Sequence, residues 1–189
     1  MPSDNNKANI SAGKPKIGGA IYRAPGGTTP PTTATATLST AFVCVGYISD
    51  AGVVQSENLN TTVVNAWGGE PVLVTENSRI EDFKFTMLET MKDEPNKIVY
   101  GDTNVTGDLT NGMTVSASAA ELGEHVYVID QELNGSVKKR TVIPAAVVSA
   151  IGDISQVDNN AVGYPVTLTA LPDSNSKTHY DYYQAATST

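Results

Sequence analysis

The segment Asp102–Gly107 carries oxygen-bearing side chains at a spacing that could bind calcium. Its order, Asp-Thr-Asn-Val-Thr-Gly, contains the D-x-N-x-x-G part of an EF-hand loop. Thr106 replaces the third oxygen ligand of such a loop, and Met113 occupies the position that requires a bidentate glutamate. These departures favour a β-turn over a calcium site.

The other residues with reactive side chains are scattered. Neither His125 nor His179 has a second His or Cys at ligand spacing, and Cys44 lies in an apolar run where a cysteine is usually inert. Adjacent carboxylates such as Glu81 and Asp82 diverge in direction, which favours a solvated face over acid–base catalysis. No G-x-S-x-G, Walker or G-x-G-x-x-G pattern is present. We therefore expect no catalytic, cofactor-binding or metal-binding residue. We expect a structural or interaction role instead.

The overall charge argues against tight binding to nucleic acid. The 189 residues carry a formal net charge of −8 and a pI near 4.6, whereas proteins that grip DNA by its phosphates are normally basic. Residues 1–23 are mildly basic and residues 24–137 are acidic. This asymmetry fits either a solvated tail or contact between the tail of one copy and the body of another.

The single cysteine and the hydropathy pattern limit the cellular compartments in which the protein can be expected. One cysteine excludes an intrachain disulfide and favours a reducing environment. No apolar run reaches the ~18 residues of a membrane span, and the N-terminus lacks the apolar region of a signal peptide. We therefore expect synthesis and residence in the cytoplasm, with no membrane partner.

The elements that must position these residues are mostly strands. Phe83, Phe85 and Met87 alternate with polar residues, which predicts one apolar strand face. Asn134-Gly135 supplies the two positive-φ residues of a type I′ turn, which predicts a hairpin. The predicted strands are 41–48, 72–75, 80–87, 113–120, 125–133, 137–143, 147–157 and 163–171.

One helix interrupts this pattern. Apolar spacing suits a helix near residues 88–100, and Gly101 follows as a stop signal. Pro95 lies inside the helical pattern, where it would either kink one helix or restart a second one with Asp93 as its N-cap.

These elements predict a mainly β fold, a sandwich or small barrel of about seven to nine strands with one flanking α-helix and extended arms. We expect one domain over residues 1–189. Its parts are an N-terminal arm (1–23), a Thr/Pro-rich arm or loop (24–40), a β core containing the helix (41–173) and a C-terminal arm (174–189).

A series of short fragments, each weak alone, runs in order through most of the chain. They are KPKIGGAIYRAPGGT (14–28), CVGYIS (44–49), AWGG (66–69), FKFT (83–86), VYGDTNVTG (99–107), RTVIP (140–144) and YPVTLTALPD (164–173). Together they resemble the major tail proteins, or tail tube proteins, of long non-contractile-tailed bacteriophages (siphophages).

The resemblance implies a tail-tube-type β-sandwich with one flanking helix, which forms hexameric rings. Such rings stack into a virion tail tube, a conduit through which genomic DNA is ejected without tight binding. Implied partners are further copies of the chain and other tail proteins, such as the tape measure and the tail terminator. Assembly is expected in the host cytoplasm.

A tube that passes DNA suggests a role for the acidic charge, because an acidic wall repels DNA over a Debye length of about 10 Å. We predict Asp130, Glu132 and Asp153 as lumen-facing residues, since the first two place charge on strands where a sandwich interior would not. Ordinary outer-surface charges are the alternative.

Three other functions compete with this interpretation. Another tube-forming protein of the same fold, such as a secretion-system tube or a different tail component, would lack the Thr/Pro-rich arm and the need to pass DNA. A β-rich adhesive or surface module should carry a secretion signal. An enzyme requires a convergent polar site that the sequence does not assemble.

Overall fold

Eleven β-strands and one α-helix are present in residues 5–185, the part of the chain that this computed structural model describes. The strands are β1 (Lys14–Pro15), β2 (Ile21–Pro25), β3 (Val43–Cys44), β4 (Val54–Asn65), β5 (Pro71–Met87), β6 (Val105–Asp108), β7 (Gly112–Val115), β8 (His125–Glu132), β9 (Lys138–Ile151), β10 (Tyr164–Ala170) and β11 (Tyr180–Gln184). The helix α1 spans Asp93–Tyr100. The mainly β fold with one helix is confirmed. The strands outnumber the predicted seven to nine because short pairings such as β1 and β3 add to the count.

Nine of the strands form one antiparallel sheet in the order β3-β2-β8-β9-β10-β5-β4, with β1 added to β8 and β11 added to β9. β6 and β7 form a separate hairpin. The segment after β3 returns to β5: Ser49 N–H donates to the Thr86 carbonyl at 2.9 Å, and Leu88 N–H donates to the Tyr47 carbonyl at 2.9 Å. These bonds curl the sheet into a barrel-like sandwich.

Strand β9 belongs to both halves of this sheet. One of its edges pairs with β8, while along the other edge β11 pairs with Lys138–Val142 and β10 pairs with Ala146–Ile151. Pro144 lies between those two partners, where the register against β8 also shifts. A proline has no N–H to donate, so it is tolerated where the ladder is interrupted.

The main core lies inside the curl. Phe83, Phe85 and Met87 of β5 are at most 4% exposed, which confirms the predicted apolar face. Tyr127 of β8 and Leu168 of β10 pack into the same cluster. Its other buried members are Ile21, Val45, Ile98, Val99, Ile129, Ile143, Ala146, Val166 and Ala170. Each large apolar side chain contributes about 1.5–3 kcal/mol on full burial, so this cluster is the main hydrophobic stabilisation of the fold.

A second, smaller cluster covers the opposite face of β2, β8 and β9. Its buried members are Ala24, Phe42, Val126, Val128 and Val142. Leu38, from the Thr/Pro-rich stretch, packs against it. Arg140 donates from Nη1 to the backbone carbonyls of Thr33 and Ala36, at 3.2 and 2.7 Å. Ala24 and Pro25 belong to β2, and the rest of the stretch predicted as an arm or loop is held on the sheet by these contacts.

The helix α1 has Lys92 at its N-cap position without a side-chain cap, so Asp93 is its first residue and not its N-cap. Asp93 and Glu94 lie in its first turn, where carboxylates favour the helix dipole, and Asp93 also pairs with Lys97 one turn later at 2.7 Å. Pro95 is the third residue, where its missing N–H costs nothing because first-turn amides lack a helical partner. Gly101, at φ 97°, ends the helix as predicted.

The predicted boundaries of both arms need correction. The N-terminal arm does not extend to residue 23, because Ile21–Pro25 forms β2 and pairs with β8 inside the sheet. In the C-terminal arm, Tyr180–Gln184 pairs with β9 as β11. Residues 1–4 and 186–189 of the predicted arms lie outside the described residues.

Six predicted strands also differ from the structure. The strand over 113–120 is reduced to β7, and those over 137–143 and 147–157 are one strand, β9, which ends at Ile151. The strand over 41–48 is reduced to Val43–Cys44, because Gly46 adopts φ 102° and turns the chain. The strands predicted at 72–75 and 80–87 are one continuous strand, β5. The β8–β9 hairpin is confirmed, but its turn spans residues 133–137, with the positive φ at Ser136 (58°). It is therefore not a two-residue type I′ turn.

We expect Leu168→Ala to lower the free energy of unfolding of the unassembled subunit by about 2–5 kcal/mol, because Leu168 is fully buried in the main core. Leu109→Ala is the matched control: Leu109 is 66% exposed, and its loss should change stability by less than about 0.5 kcal/mol. Urea denaturation followed by circular dichroism measures both. Equal midpoints for the two variants would contradict this account of the core.

Candidate functional site

A long two-stranded extension leaves the body of the subunit. β4 and β5 pair from Val54–Lys84 to Asn65–Pro71, and the register shifts after Asn60 and after Val64. Phe83, Phe85 and Met87 anchor the base of β5, whereas residues 71–80 are exposed on both faces. We call residues 57–80 the projecting hairpin. At about 3.3 Å per residue, it reaches about 30 Å beyond the core.

The outer half of the projecting hairpin is apolar on both faces. Val63 lies opposite Val74 on one face, and the next pair, Val64 and Leu73, lies on the other, since successive residues of a strand alternate. All four side chains are 45–61% exposed. A water-soluble ribbon would normally place polar side chains on at least one of these faces.

The tip of the hairpin presents the single tryptophan. Trp67 is fully exposed and is followed by Gly68 and Gly69, whose φ values are 116° and 94°. Ala66 N–H donates to the Glu70 carbonyl at 2.7 Å and closes the turn. The turn is thus well formed, and it holds an indole ring and a carboxylate out in solvent.

Such a hairpin lacks internal support. An isolated two-stranded hairpin is marginally stable in water, and a contiguous exposed apolar patch marks an interaction surface. The ion pairs of Arg79 with Glu57 (3.0 Å) and Glu76 (3.3 Å) are exposed and contribute little. The arrangement therefore fits contact with another protein surface.

The three predicted lumen residues occupy different environments. Asp130 is 4% exposed, and its carboxylate accepts hydrogen bonds from Arg140 Nε at 2.6 Å and Nη2 at 2.8 Å, with Lys16 Nζ at 3.3 Å. Glu132 is exposed near the start of β9, and Asp153 is exposed beyond its end, so the structure does not bring the three together. Whether Glu132 or Asp153 faces a channel stays a prediction, while the charge of Asp130 is compensated within the subunit.

The candidate calcium loop serves a structural purpose instead. Arg23, 5% exposed, donates to Glu94 Oε1 at 2.8 Å and to Asp102 Oδ1 at 2.7 Å. His125 Nε2 lies 3.0 Å from Asp102 Oδ2. Residues 102–104 form a 3-10 turn, so this cluster fastens that turn and α1 to strands β2 and β8.

The contact with Arg23 keeps Asp102 ionised at neutral pH. Burial alone would raise the pKa of Asp102, but the hydrogen bond and positive charge of Arg23 outweigh burial and hold that pKa below its usual range. The stabilisation is thus present at neutral pH and is lost as the pH falls through the lowered pKa. Burial raises the pKa of Tyr127, which lies beside Arg23 and remains neutral.

The remaining candidates are held in local contacts. Glu81 is 4% exposed, not on a solvated face as expected, because Gln55 donates to it at 2.6 Å and His179 Nδ1 lies 2.9 Å away. Cys44 is partly exposed, not buried in the core. Within residues 5–185, no group of three His, Cys, Asp or Glu side chains is arranged to hold a metal ion. No helix in that range has the length and apolarity to cross a membrane.

The projecting hairpin is absent from the predicted strands, because the mostly polar residues 55–62 show no strand pattern and β5 is predicted as two separate strands. The sequence does contain a pattern typical of a hairpin. The turn cluster Trp67-Gly68-Gly69-Glu70-Pro71 lies between two valine-rich runs.

The match to a family model agrees with a structural role. The sequence matches the family model described as phage tail tube protein over residues 2–188. No curated protein matches it. Among solved structures, the chain is similar to the cap that terminates the tube of the anti-feeding prophage, with a TM-score of 0.41 and 9% identity over 94% of this chain and 96% of that one. A likeness at that TM-score does not by itself establish a shared fold.

The family match defines the class of protein: a structural component of a phage tail. Because the match spans nearly the whole chain, the chain belongs to the phage tail tube protein family. The family implies a place in the virion tail, and assembly with further copies and other tail components.

We expect Arg140→Ala to destabilise the unassembled subunit by about 3–5 kcal/mol, because it leaves the buried Asp130 carboxylate without its bidentate partner. Lys138→Ala, on the same strand but exposed, is the control and should be near neutral. Chemical denaturation measures both. A near-neutral Arg140→Ala would show that Lys16 alone compensates the Asp130 charge.

Proposed function

We propose that this chain is the repeating subunit of a siphophage tail tube. Six copies form a ring, rings stack into a tube, and the phage genome passes through the tube into the host during ejection. The tape measure protein inside the lumen and the terminator at the tube end are its further partners. Assembly takes place in the host cytoplasm.

The observation that carries the proposal is the projecting hairpin. Its two apolar faces near Val63 and Leu73 are exposed in the single subunit, and the hairpin reaches well beyond the body. A tube is built from many copies of one protein. The surface next to each hairpin is therefore that of a neighbouring copy, which can cover its apolar faces.

Strand β4 supports the same conclusion. In the described part of the chain, β4 pairs only with β5, along one edge. Its other edge therefore has a row of backbone donors and acceptors that no described strand pairs with. If a neighbouring subunit pairs with that edge, the sheets of successive copies continue around a ring. Closure of the ring removes the open edges, as it does in a single-chain barrel.

The charge of the chain suits a conduit for DNA. Six copies of a chain with net charge −8 would place −48 on each ring. Any part of that charge on the lumen wall repels the DNA phosphates and prevents sticking. We propose Glu132 and Asp153 as lumen charges; Asp130 was predicted with them, but its carboxylate is paired with Arg140 and contributes no free charge.

Electron microscopy of the purified protein tests the assembly. We expect negatively stained samples to show rings or tubes of uniform width, because the subunit carries its own interaction surfaces. Discrete monomers at every concentration examined would contradict the proposal. Double rings or hexamers without tubes would support the ring and place the stacking signal in another tail component.

The lumen charges are tested by the combined substitution of Glu132→Lys and Asp153→Lys in the phage. We expect slower DNA release after receptor triggering, because positive charge on the wall attracts phosphates. The control is Asp158→Lys together with Glu121→Lys, two other exposed acidic residues, which keeps the net charge change equal. Release at the wild-type rate from the first variant would remove Glu132 and Asp153 from the lumen.

A further inference from the structure

A deep groove lies beside the base of the projecting hairpin. It has a volume of about 880 Å³ and runs between residues 13–21 and residues 44–53. Ile129 and Gln131 of β8 also line it. This groove, which we call the base groove, is larger than the cavity lined by Arg23 and Asp102.

The walls of the base groove are suited to a flat apolar side chain. Gly18 lines it with open space where a side chain would project, so the backbone can be approached closely there, whereas Gly19 and Gly46 are already covered by Tyr22 and Glu89. Ile17 is 93% exposed and Tyr47 is 75% exposed at its rim. Both cost free energy as exposed apolar surface, and both would be covered by an occupant.

The groove also carries positive charge. Lys16 lines it, with its side chain half exposed beside Asp130, and Lys92 lines it with Nζ bonded to the Cys44 carbonyl at 2.7 Å. The acidic side chains of the groove are Glu89, which accepts a hydrogen bond from Tyr47 N–H at 2.8 Å, and Asp50. Lys16 is therefore the cation best placed to receive a carboxylate from an occupant.

The tip of the projecting hairpin carries an apolar ring and a carboxylate that could fit the base groove and Lys16. Trp67 is fully exposed, and Glu70 follows it across the turn. The tip cannot reach the groove of its own chain: β4 begins at Val54, directly after the groove segment 44–53, and runs away from it for about 40 Å before Trp67. A second copy must supply the occupant.

We propose that Trp67 of one subunit inserts into the base groove of the next subunit, with Glu70 directed towards Lys16. This inference rests on the proposed self-assembly and specifies one of its contacts. Tip and groove are different surfaces, so the contact is heterologous: each subunit offers a free tip on one side and a free groove on the other. Such a contact propagates until a ring closes. A buried tryptophan near the centre of an interface is a common energetic hot spot.

Two variants with separate defects test the contact. Trp67→Ala removes the tip anchor and keeps the groove, and Ile17→Asp places a carboxylate in the groove and keeps the tip. Both residues are exposed in the subunit, so neither variant should change the unfolding midpoint. Leu109→Ala controls for the first, and Ile10→Asp, an isoleucine 70% exposed outside the groove, controls for the second.

Each variant alone should need about tenfold more protein, or higher still, to assemble than the wild type or its control, measured by sedimentation velocity. At concentrations where neither variant assembles alone, an equal mixture of the two should form dimers of one copy each, because only the intact tip of one and the intact groove of the other can pair. Dimers in the mixture support the contact; a mixture that stays monomeric, or single variants that assemble like wild type, overturns it.

The native thiol in the groove gives a direct measurement. Cys44 lines the base groove, so Ala66→Cys, which leaves Trp67 in place, should yield a ladder of crosslinked oligomers with a short bismaleimide. Ala66→Cys combined with Cys44→Ser should yield dimers at most. A ladder that persists without Cys44 overturns the assignment.

The tests distinguish the failure of this contact from the failure of the proposed function. If the wild type itself fails to assemble, the proposed function is wrong. If the wild type assembles and these tests fail, only the tip-to-groove contact is wrong.

Discussion

The structure depends on one constraint: every buried backbone donor and acceptor of β9 must find a partner along two edges. β8 satisfies one edge, and the other is divided between β11 and β10. Pro144 marks the division, where no donor is available. Because both partners pair with the same strand, β9 joins the half of the sheet that contacts the helix to the half that contacts the Thr/Pro-rich loop. The buried pair Arg140–Asp130 lies next to that joint and locks the register of β8 against β9.

Patterns that report local geometry predicted the fold well. The alternation of Phe83, Phe85 and Met87 identified a buried face because a strand repeats every two residues. The burial of Asp130 could not be found in this way. A two-residue turn at Asn134-Gly135 would place Lys139 opposite Asp130, whereas the longer turn shifts the register by one and places Arg140 there. The partner of a buried charge therefore depended on a turn conformation that the sequence signal misidentified.

The projecting hairpin was missed for a related reason. Residues 55–62 are mostly polar on both strand faces, so they show neither alternation nor an apolar run, and nothing in the segment alone indicates a strand. The strand forms because β5 supplies a long paired partner and because the turn at Gly68 and Gly69 reverses the chain. A tube protein has to keep such a ribbon soluble before assembly. The residues of β4 near the body are mostly polar, with Leu59 as an exception, and they meet that need.

The pairing of Ile21–Pro25 with β8 has a consequence for synthesis on the ribosome. These partners are separated by about a hundred residues, and contacts of such long sequence separation form slowly. Ile21–Pro25 leaves the exit tunnel long before His125–Glu132 is made, and β11 can pair with β9 only after Tyr180–Gln184 has been made. The nascent chain therefore remains open along its central sheet until these later strands have been synthesised. Its edges stay available to other unpaired strands during that interval.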